Sequence, residues 1–109
     1  MRVAIATDGE NVAAHFGRCE GYTIVDIESE KATNQERLSN PGHEPGFLPQ
    51  FLAERGVNCI VAGGMGPRAQ MLFDEKNIDT IVGVQGSISE TITALERGSL
   101  SGGETLCNH

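Results

Sequence analysis

The stretch Cys59-Ile60-Val61-Ala62-Gly63-Gly64-Met65-Gly66-Pro67 decides the fold class. Its first four residues are apolar or small and predict a short buried strand, and the glycines that follow predict a turn. Pro67 suits the first position of a helix, where its missing N–H costs nothing. The next residues carry apolar side chains at helical spacing. A strand, a glycine loop and a helix in direct succession are typical of an α/β domain.

The rest of the chain extends this pattern to a mixed sheet. Apolar runs and turn residues predict three consecutive strands, then alternating helices and strands. A capping box, Ser87 with Glu90, predicts the start of the last helix, which ends near Gly98. The predicted strands are 3–7, 22–27, 31–38, 59–62 and 80–82, and the predicted helices are about 47–55, one from 67 onward, and one from 88. The order β-β-β-α-β-α-β-α implies five strands with helices on the faces of the sheet, and the first, fourth and fifth strands parallel.

Length and composition fit one globular domain. The chain has 109 residues, of which 39% are apolar and 21% charged, and residues 99–109 are expected to form a flexible, irregular tail. The net charge of −7 argues against a nucleic-acid partner, because such proteins cluster basic residues on one face. No stretch is apolar for long enough to cross a membrane, and the N-terminal segment does not resemble a signal peptide. We therefore expect a cytoplasmic protein with no membrane partner.

Two short clusters of histidine and cysteine stand out as candidate metal ligands. His15 and Cys19 lie just beyond the first predicted strand, and Cys107 and His109 lie at the end of the sequence. Imidazole and thiolate are good ligands for borderline and soft metals. No Cys-x-x-Cys pair is present, so any site has to be assembled across the fold. The pattern predicts a metal or metallocluster site, and Cys107 and His109 make the tail a candidate ligand arm.

The glycine loop Gly63, Gly64, Met65 and Gly66 is the candidate cofactor cradle. Glycines let the backbone approach a ligand closely, and the N-terminus of the following helix favours negative charge. Met65 offers either a thioether ligand or a packing side chain. Ligands of such sheets bind at the carboxyl ends of the parallel strands. The segments 8–19, 63–66 and 83–86 are therefore expected to open on the same edge of the sheet.

Each candidate also has a purely structural interpretation. His15 can cap a loop, and Cys19 can be a small core residue, which is a common use of free cysteine. Cys59 is predicted to be core, and His43, in a turn, to be exposed. A two-metal nuclease is disfavoured, because the fourth strand ends without an acidic residue. A Cys19 nucleophile with His15 as its base has no assignable oxyanion donor.

The chain resembles the dinitrogenase iron-molybdenum cofactor biosynthesis family, which includes NifX-type carriers and the C-terminal domain of NifB-type proteins. The matching motifs extend over most of the sequence. They are the opening strand to Thr7-Asp8-Gly9, His15-Phe16-Gly17-Arg18, Asn40-Pro41-Gly42, Phe51-Leu52-Ala53-Glu54-Arg55-Gly56-Val57 and Ala62-Gly63-Gly64-Met65-Gly66-Pro67-Arg68-Ala69. The resemblance implies a ribonuclease-H-like three-layer α/β/α fold without nuclease activity. It also implies that His15, in the His-Phe-Gly motif, is a cofactor ligand, whereas Cys19, Cys107 and His109 occupy positions that vary in the family.

The leading hypothesis is a non-enzymatic carrier of an iron-sulfur or iron-molybdenum-type cluster, or of its precursor. Its partners would be the proteins that donate and accept the cluster, and the chain would be a monomer or a homodimer. The alternative is a metal-free module that binds a small anion or a protein partner through the same glycine loops. A hydrolase is a third class, for which we expect no turnover.

Overall fold

The computed structural model describes residues 1–42 and 47–98, together with the backbone of residues 104–105. Seven strands and three helices follow one another along these residues. They are β1 (Arg2–Asp8), β2 (Asn11–Val12), β3 (Gly21–Glu28), β4 (Lys31–Ser39), α1 (Phe47–Glu54), β5 (Cys59–Val61), α2 (Pro67–Glu75), β6 (Asp79–Val82), α3 (Ile88–Glu96) and β7 (Glu104–Thr105).

The strands form one mixed sheet in the order β4-β3-β1-β5-β6-β7, and β2 pairs with β1 beside this path. The strands β1, β5 and β6 are parallel to one another, as predicted, and the other pairs are antiparallel. The predicted count of five strands was too low. The strand β2 is a two-residue hairpin partner, and β7 pairs with β6 from within the stretch that was predicted to be an irregular tail.

Helices cover both faces of the sheet, so the architecture is a three-layer α/β fold. Helices α1 and α2 lie on one face, where Leu52 and Phe73 pack against Ala4 and Ala6 of β1. Helix α3 lies on the other face, where its apolar side chains pack against Val3, Ile5 and further residues of the central strands. Successive side chains of a strand point to opposite faces. Consecutive side chains of β1 pack into the two different clusters, so both faces of this strand are buried. This double burial explains the continuous apolar run of β1.

The helix starts agree with the sequence signals. Pro67 occupies the first turn of α2 after the N-cap residue Gly66. The capping box of α3 is formed, because the Ser87 hydroxyl accepts the Glu90 N–H at 3.0 Å and the Glu90 carboxylate accepts from Ser87.

Among the described helices, none combines the length and the hydrophobicity that a membrane span requires.

Candidate functional site

Three loops meet at the carboxyl edge of the parallel strands. The Gly63 N–H donates to the Ala13 carbonyl at 2.9 Å, and the Gly83 N–H donates to the Gly63 carbonyl at 2.8 Å. The Val12 N–H donates to the Gly86 carbonyl at 2.9 Å. The predicted convergence of the loops after β1, β5 and β6 is therefore confirmed, and it is built from direct backbone hydrogen bonds.

The loop that carries His15 packs closely on the glycines after β5. The Phe16 N–H donates to the Gly64 carbonyl at 2.8 Å. A Cβ on Gly63 would stand 2.9 Å from the Cα of Ala14, and a Cβ on Gly64 would stand 3.8 Å from Nδ1 of His15. A Cβ atom cannot stand closer than about 3.0 Å to a non-bonded heavy atom. Position 63 must therefore be glycine for the loop that carries His15 to pack this closely.

His15 and Phe16 differ in their surroundings although they are adjacent in the chain. The side chain of His15 is exposed. The ring of Phe16 packs against the core, with its centroid 5.1 Å from that of Phe73 in an edge-to-face arrangement and 5.7 Å from that of Tyr22. Phe16 therefore anchors the loop, and the anchored loop presents the imidazole of His15 at the surface.

Cys19 lies in the core. It is a free cysteine with 6% of its surface exposed, and it belongs to the same apolar cluster as Tyr22. The side-chain amide of Asn40 donates to the carbonyl of Cys19 at 2.9 Å and to the carbonyl of Gly17 at 3.2 Å. The structure thus places His15 at the surface and Cys19 in the core, on one anchored loop.

Tyr22 brings a buried polar group under this loop. The residue has no exposed surface, and its hydroxyl finds no hydrogen-bond partner among the described residues. Burial, and to a lesser degree the neighbouring Cys19, raise the pKa of the Tyr22 phenol well above its usual range. Tyr22 is therefore a neutral phenol at physiological pH. Sequence reasoning missed it, because tyrosine is common in strands and carries no signal of its own.

The remaining candidate residues are placed as follows. Met65 is partly buried against the core, and its carbonyl accepts the side-chain amide of Gln70 at 3.1 Å. Cys59 is fully buried in β5, as predicted for a core residue. Cys107, His109 and His43 lie outside the described residues. Within the described part of the chain, no three side chains of the His, Cys, Asp or Glu type come together to hold a metal ion.

Acidic side chains close the base of the His15 loop. The Asp8 carboxylate accepts the Glu20 N–H at 2.9 Å, and the Glu20 carboxylate accepts the Gly9 N–H at 2.8 Å. These reciprocal bonds join the two ends of the segment between β1 and β3. The segment is therefore a closed loop with a fixed base, which limits the positions available to His15 at its tip.

The family model for the dinitrogenase iron-molybdenum cofactor matches residues 1–98. The chain belongs to this family. The uncharacterized protein MJ0580 of Methanocaldococcus jannaschii is 33% identical over 105 residues, which cover 92% of this chain and 89% of that protein. Membership in the family was the expectation from the sequence motifs, and it is confirmed.

Solved structures share the fold over nearly the full length. The crystal structure of PH0822 is 38% identical, has a TM-score of 0.87, and is matched over 94% of this chain and 95% of its own. The NMR structure of a candidate NifB protein from Thermotoga, TM1290, is 27% identical with a TM-score of 0.75, over 99% of this chain and 97% of its own. The three-layer architecture is therefore that of the family.

Proposed function

We propose that this protein is a non-enzymatic carrier that binds an iron-sulfur or iron-molybdenum-type cluster, or a precursor of one, as cargo. The observation that carries the proposal is the exposed imidazole of His15, held against the glycine loop where three loops converge, in a chain whose family is that of the iron-molybdenum cofactor. The likeness to a candidate NifB protein supports the same role. The partners would be the proteins that donate the cluster and those that accept it.

His15 is the first ligand in this proposal. Its position at the tip of an anchored loop lets it reach a bulky cargo without a change of the backbone. Cys19 is a second ligand that requires the loop to open, because the cysteine is buried in the unloaded chain. Cys107 and His109 remain candidate ligands on the sequence alone. Imidazole and thiolate both serve as ligands of iron-sulfur clusters, so iron is the expected metal.

We propose that only part of the glycine loop, from Gly64 to Gly66, contacts the cargo. The Gly63 N–H and the Gly64 carbonyl are already bonded to the His15 loop. In our proposal, the segment from Gly64 to Gly66 lines the cargo, while Gly63 holds the loop in place. A cluster that keeps ligands of its own suits this site, because the described residues supply few side-chain ligands.

Anaerobic reconstitution of the full chain with iron and sulfide tests the proposal. We expect visible charge-transfer absorption in the wild-type protein, loss of most of it in His15→Ala, and a smaller loss in Cys19→Ala. His43→Ala is the matched control, because it removes a histidine outside the motif, and it should load like the wild type. A colourless wild-type product, or equal loading of His15→Ala and His43→Ala, would contradict the proposal.

The second candidate is a metal-free module that binds a small anion or a protein partner. It is favoured by the absence, within the described residues, of a group of three side chains that could hold a bare metal ion. A ligand that binds the folded state alone raises the melting temperature. Stabilisation of the metal-free protein by inorganic phosphate, unchanged in His15→Ala, would favour this candidate over the carrier.

A further inference from the structure

Asn40, the first residue after β4, bonds through its side chain to two separate pieces of backbone. The Nδ2 amide donates to the Gly17 carbonyl at 3.2 Å and to the Cys19 carbonyl at 2.9 Å. The Oδ1 atom accepts the Gly42 N–H at 2.9 Å, and the Asn40 backbone N–H donates to the Glu20 carbonyl at 3.0 Å. One half-buried residue therefore fixes the second half of the loop that carries His15.

The loop needs this second attachment. Its first half is held by the hydrogen bond from the Phe16 N–H to the Gly64 carbonyl. Its second half passes through Gly17, whose φ of +90° lies in the region that residues with a Cβ rarely adopt. Glycine has wide conformational freedom, so the Gly17 peptide can rotate unless it is held from outside. Asn40 supplies that restraint at the carbonyls on both sides of Arg18.

We infer that Asn40 is the positioning residue of the cargo site. By holding the carbonyls of Gly17 and Cys19, it keeps the cysteine side chain in the core and keeps the imidazole of His15 at the surface beside Gly64. The link to cargo rests on the proposed function, since it takes His15 as the ligand. The positioning itself is a property of the unloaded chain and can be measured there.

The substitution Asn40→Asp tests the donating amide of Asn40 directly. Asn40→Asp keeps the size of the side chain and an oxygen that accepts the Gly42 N–H. It replaces the donating amide by a second carboxylate oxygen, which then faces two carbonyl oxygens that it cannot bond. Asn58→Asp is the matched control. Asn58 lies just before β5, at the opposite edge of the sheet, and its Oδ1 accepts the Arg2 N–H at 2.8 Å, so the same charge is added and that bond is kept.

The first measurement is the rate at which a thiol reagent labels Cys19 in the unloaded full chain, followed at the peptide level by mass spectrometry. Loss of two hydrogen bonds to the loop should raise the rate by about tenfold or more in Asn40→Asp. The His15 Cε1–H resonance should also shift in this variant. Asn58→Asp should match the wild type in both. Equal labelling rates and unchanged His15 resonances in the two variants would overturn the inference.

The second measurement is the absorption of the chain reconstituted with iron and sulfide. We expect Asn40→Asp to load less than Asn58→Asp at equal protein concentration, because displacing His15, the first ligand, should lower loading more than easier access to Cys19 raises it. If Cys19 is labelled faster in Asn40→Asp but this variant takes up as much cluster as Asn58→Asp, then Asn40 does not position the cargo site, and the inference is overturned. If the wild-type chain takes up no cluster, the proposed function fails. The labelling rate and the His15 resonance then still show whether Asn40 holds the loop in the unloaded chain. If Asn40→Asp does not fold, Asn40→Ser is judged by the same criteria.

Discussion

Gly64 and His15 face each other across two loops, so that a Cβ added to Gly64 would stand 3.8 Å from Nδ1 of His15 and 3.0 Å from the Ala14 carbonyl oxygen. The first distance is an ordinary contact, whereas the second requires a small shift of the loop. The candidate site therefore needs glycine at position 64, in the loop between β5 and α2, as well as the imidazole of His15 in the segment between β1 and β3.

This relationship predicts different outcomes for three glycines of one loop. Gly63→Ala should destabilise the fold by about 1–3 kcal/mol, because its Cβ would stand within about 3 Å of backbone atoms of Ala13 and Ala14. Gly64→Ala should fold with a smaller loss of stability and shift the His15 imidazole resonance. Gly66→Ala is the control, since its Cβ would meet nothing within 4 Å and the change at the N-cap of α2 should cost less than about 1 kcal/mol. Urea denaturation and NMR measure these effects. Equal stabilities of Gly63→Ala and Gly66→Ala would contradict the close approach of the loops.

The buried hydroxyl of Tyr22 predicts an unusual response to its removal. Tyr22→Phe should leave the free energy of unfolding unchanged or raise it by up to about 1 kcal/mol, because a buried hydroxyl without a partner is unfavourable. Thr23→Val is the contrast on the same strand. Its hydroxyl lies 2.7 Å from that of Thr7, which also donates to the Ile5 carbonyl at 2.7 Å, so its removal takes away one of two hydrogen bonds of a buried hydroxyl and should cost about 0.5–1.5 kcal/mol. A larger loss in Tyr22→Phe than in Thr23→Val in urea denaturation would disprove this account.

The ion pair between Arg2 and Asp26 predicts a pH dependence of stability. Arg2 Nε lies 2.8 Å from Asp26 Oδ1, and the hydrogen bonds and charge of Arg2 hold the pKa of the Asp26 carboxyl below its usual range. A lowered carboxyl pKa contributes stability above the unfolded-state pKa, and this contribution is lost as the pH falls through the folded-state pKa. The melting temperature of Asp26→Asn should therefore be below that of the wild type at neutral pH.

This difference in melting temperature should shrink below roughly pH 4, where the unfolded carboxyl becomes protonated. Arg2 stays charged throughout, because a guanidinium loses its proton only far above this pH range. Asp74→Asn removes an exposed carboxylate from α2 and is the control. A gap between wild type and Asp26→Asn that stays constant from neutral to acid pH would show that the ion pair is not its source.

The capping box of α3 predicts a local loss of stability. Ser87→Ala should lower the free energy of unfolding by about 1 kcal/mol, since the Glu90 N–H loses its acceptor. Ser89→Ala, two residues further on the exposed face of the helix, should change stability by less than about 0.5 kcal/mol. Thermal unfolding followed by circular dichroism compares the two variants. A larger effect at Ser89 would contradict the cap.

Much of the fold could be predicted because burial and turn chemistry are local signals. The predicted strand 3–7 lies within Arg2–Asp8, and the predicted strand 22–27 lies within Gly21–Glu28. The strands β2 and β7 were missed, since two residues give no periodicity to detect. β2 is the short return arm of a tight hairpin with β1, and β7 pairs with β6 across the whole of α3, so neither shows as a pattern of alternating residues.

The convergence of the three loops could be predicted, but the contacts between them could not. Because β1, β5 and β6 were predicted to be parallel, the loops after them were expected at one edge of the sheet, and they lie there. The sequence could not show that Gly63 accommodates the chain's own loop, nor that Asn40 bonds to Gly17 and Cys19. These contacts depend on the path of the backbone in three dimensions. The ligand roles of His15 and Cys19 stay predictions.

The hydrogen bond between Phe16 and Gly64 also bears on biosynthesis of the chain. Both anchors of the His15 loop, at Gly64 and Asn40, are translated after the loop itself, and Gly63 is in turn bonded to the still later Gly83. A nascent chain that has emerged from the ribosome only as far as β4 therefore cannot hold His15 in its final place. The imidazole reaches its described position only after Gly64 and the later Gly83 have been synthesised, although His15 itself lies in the first sixth of the chain.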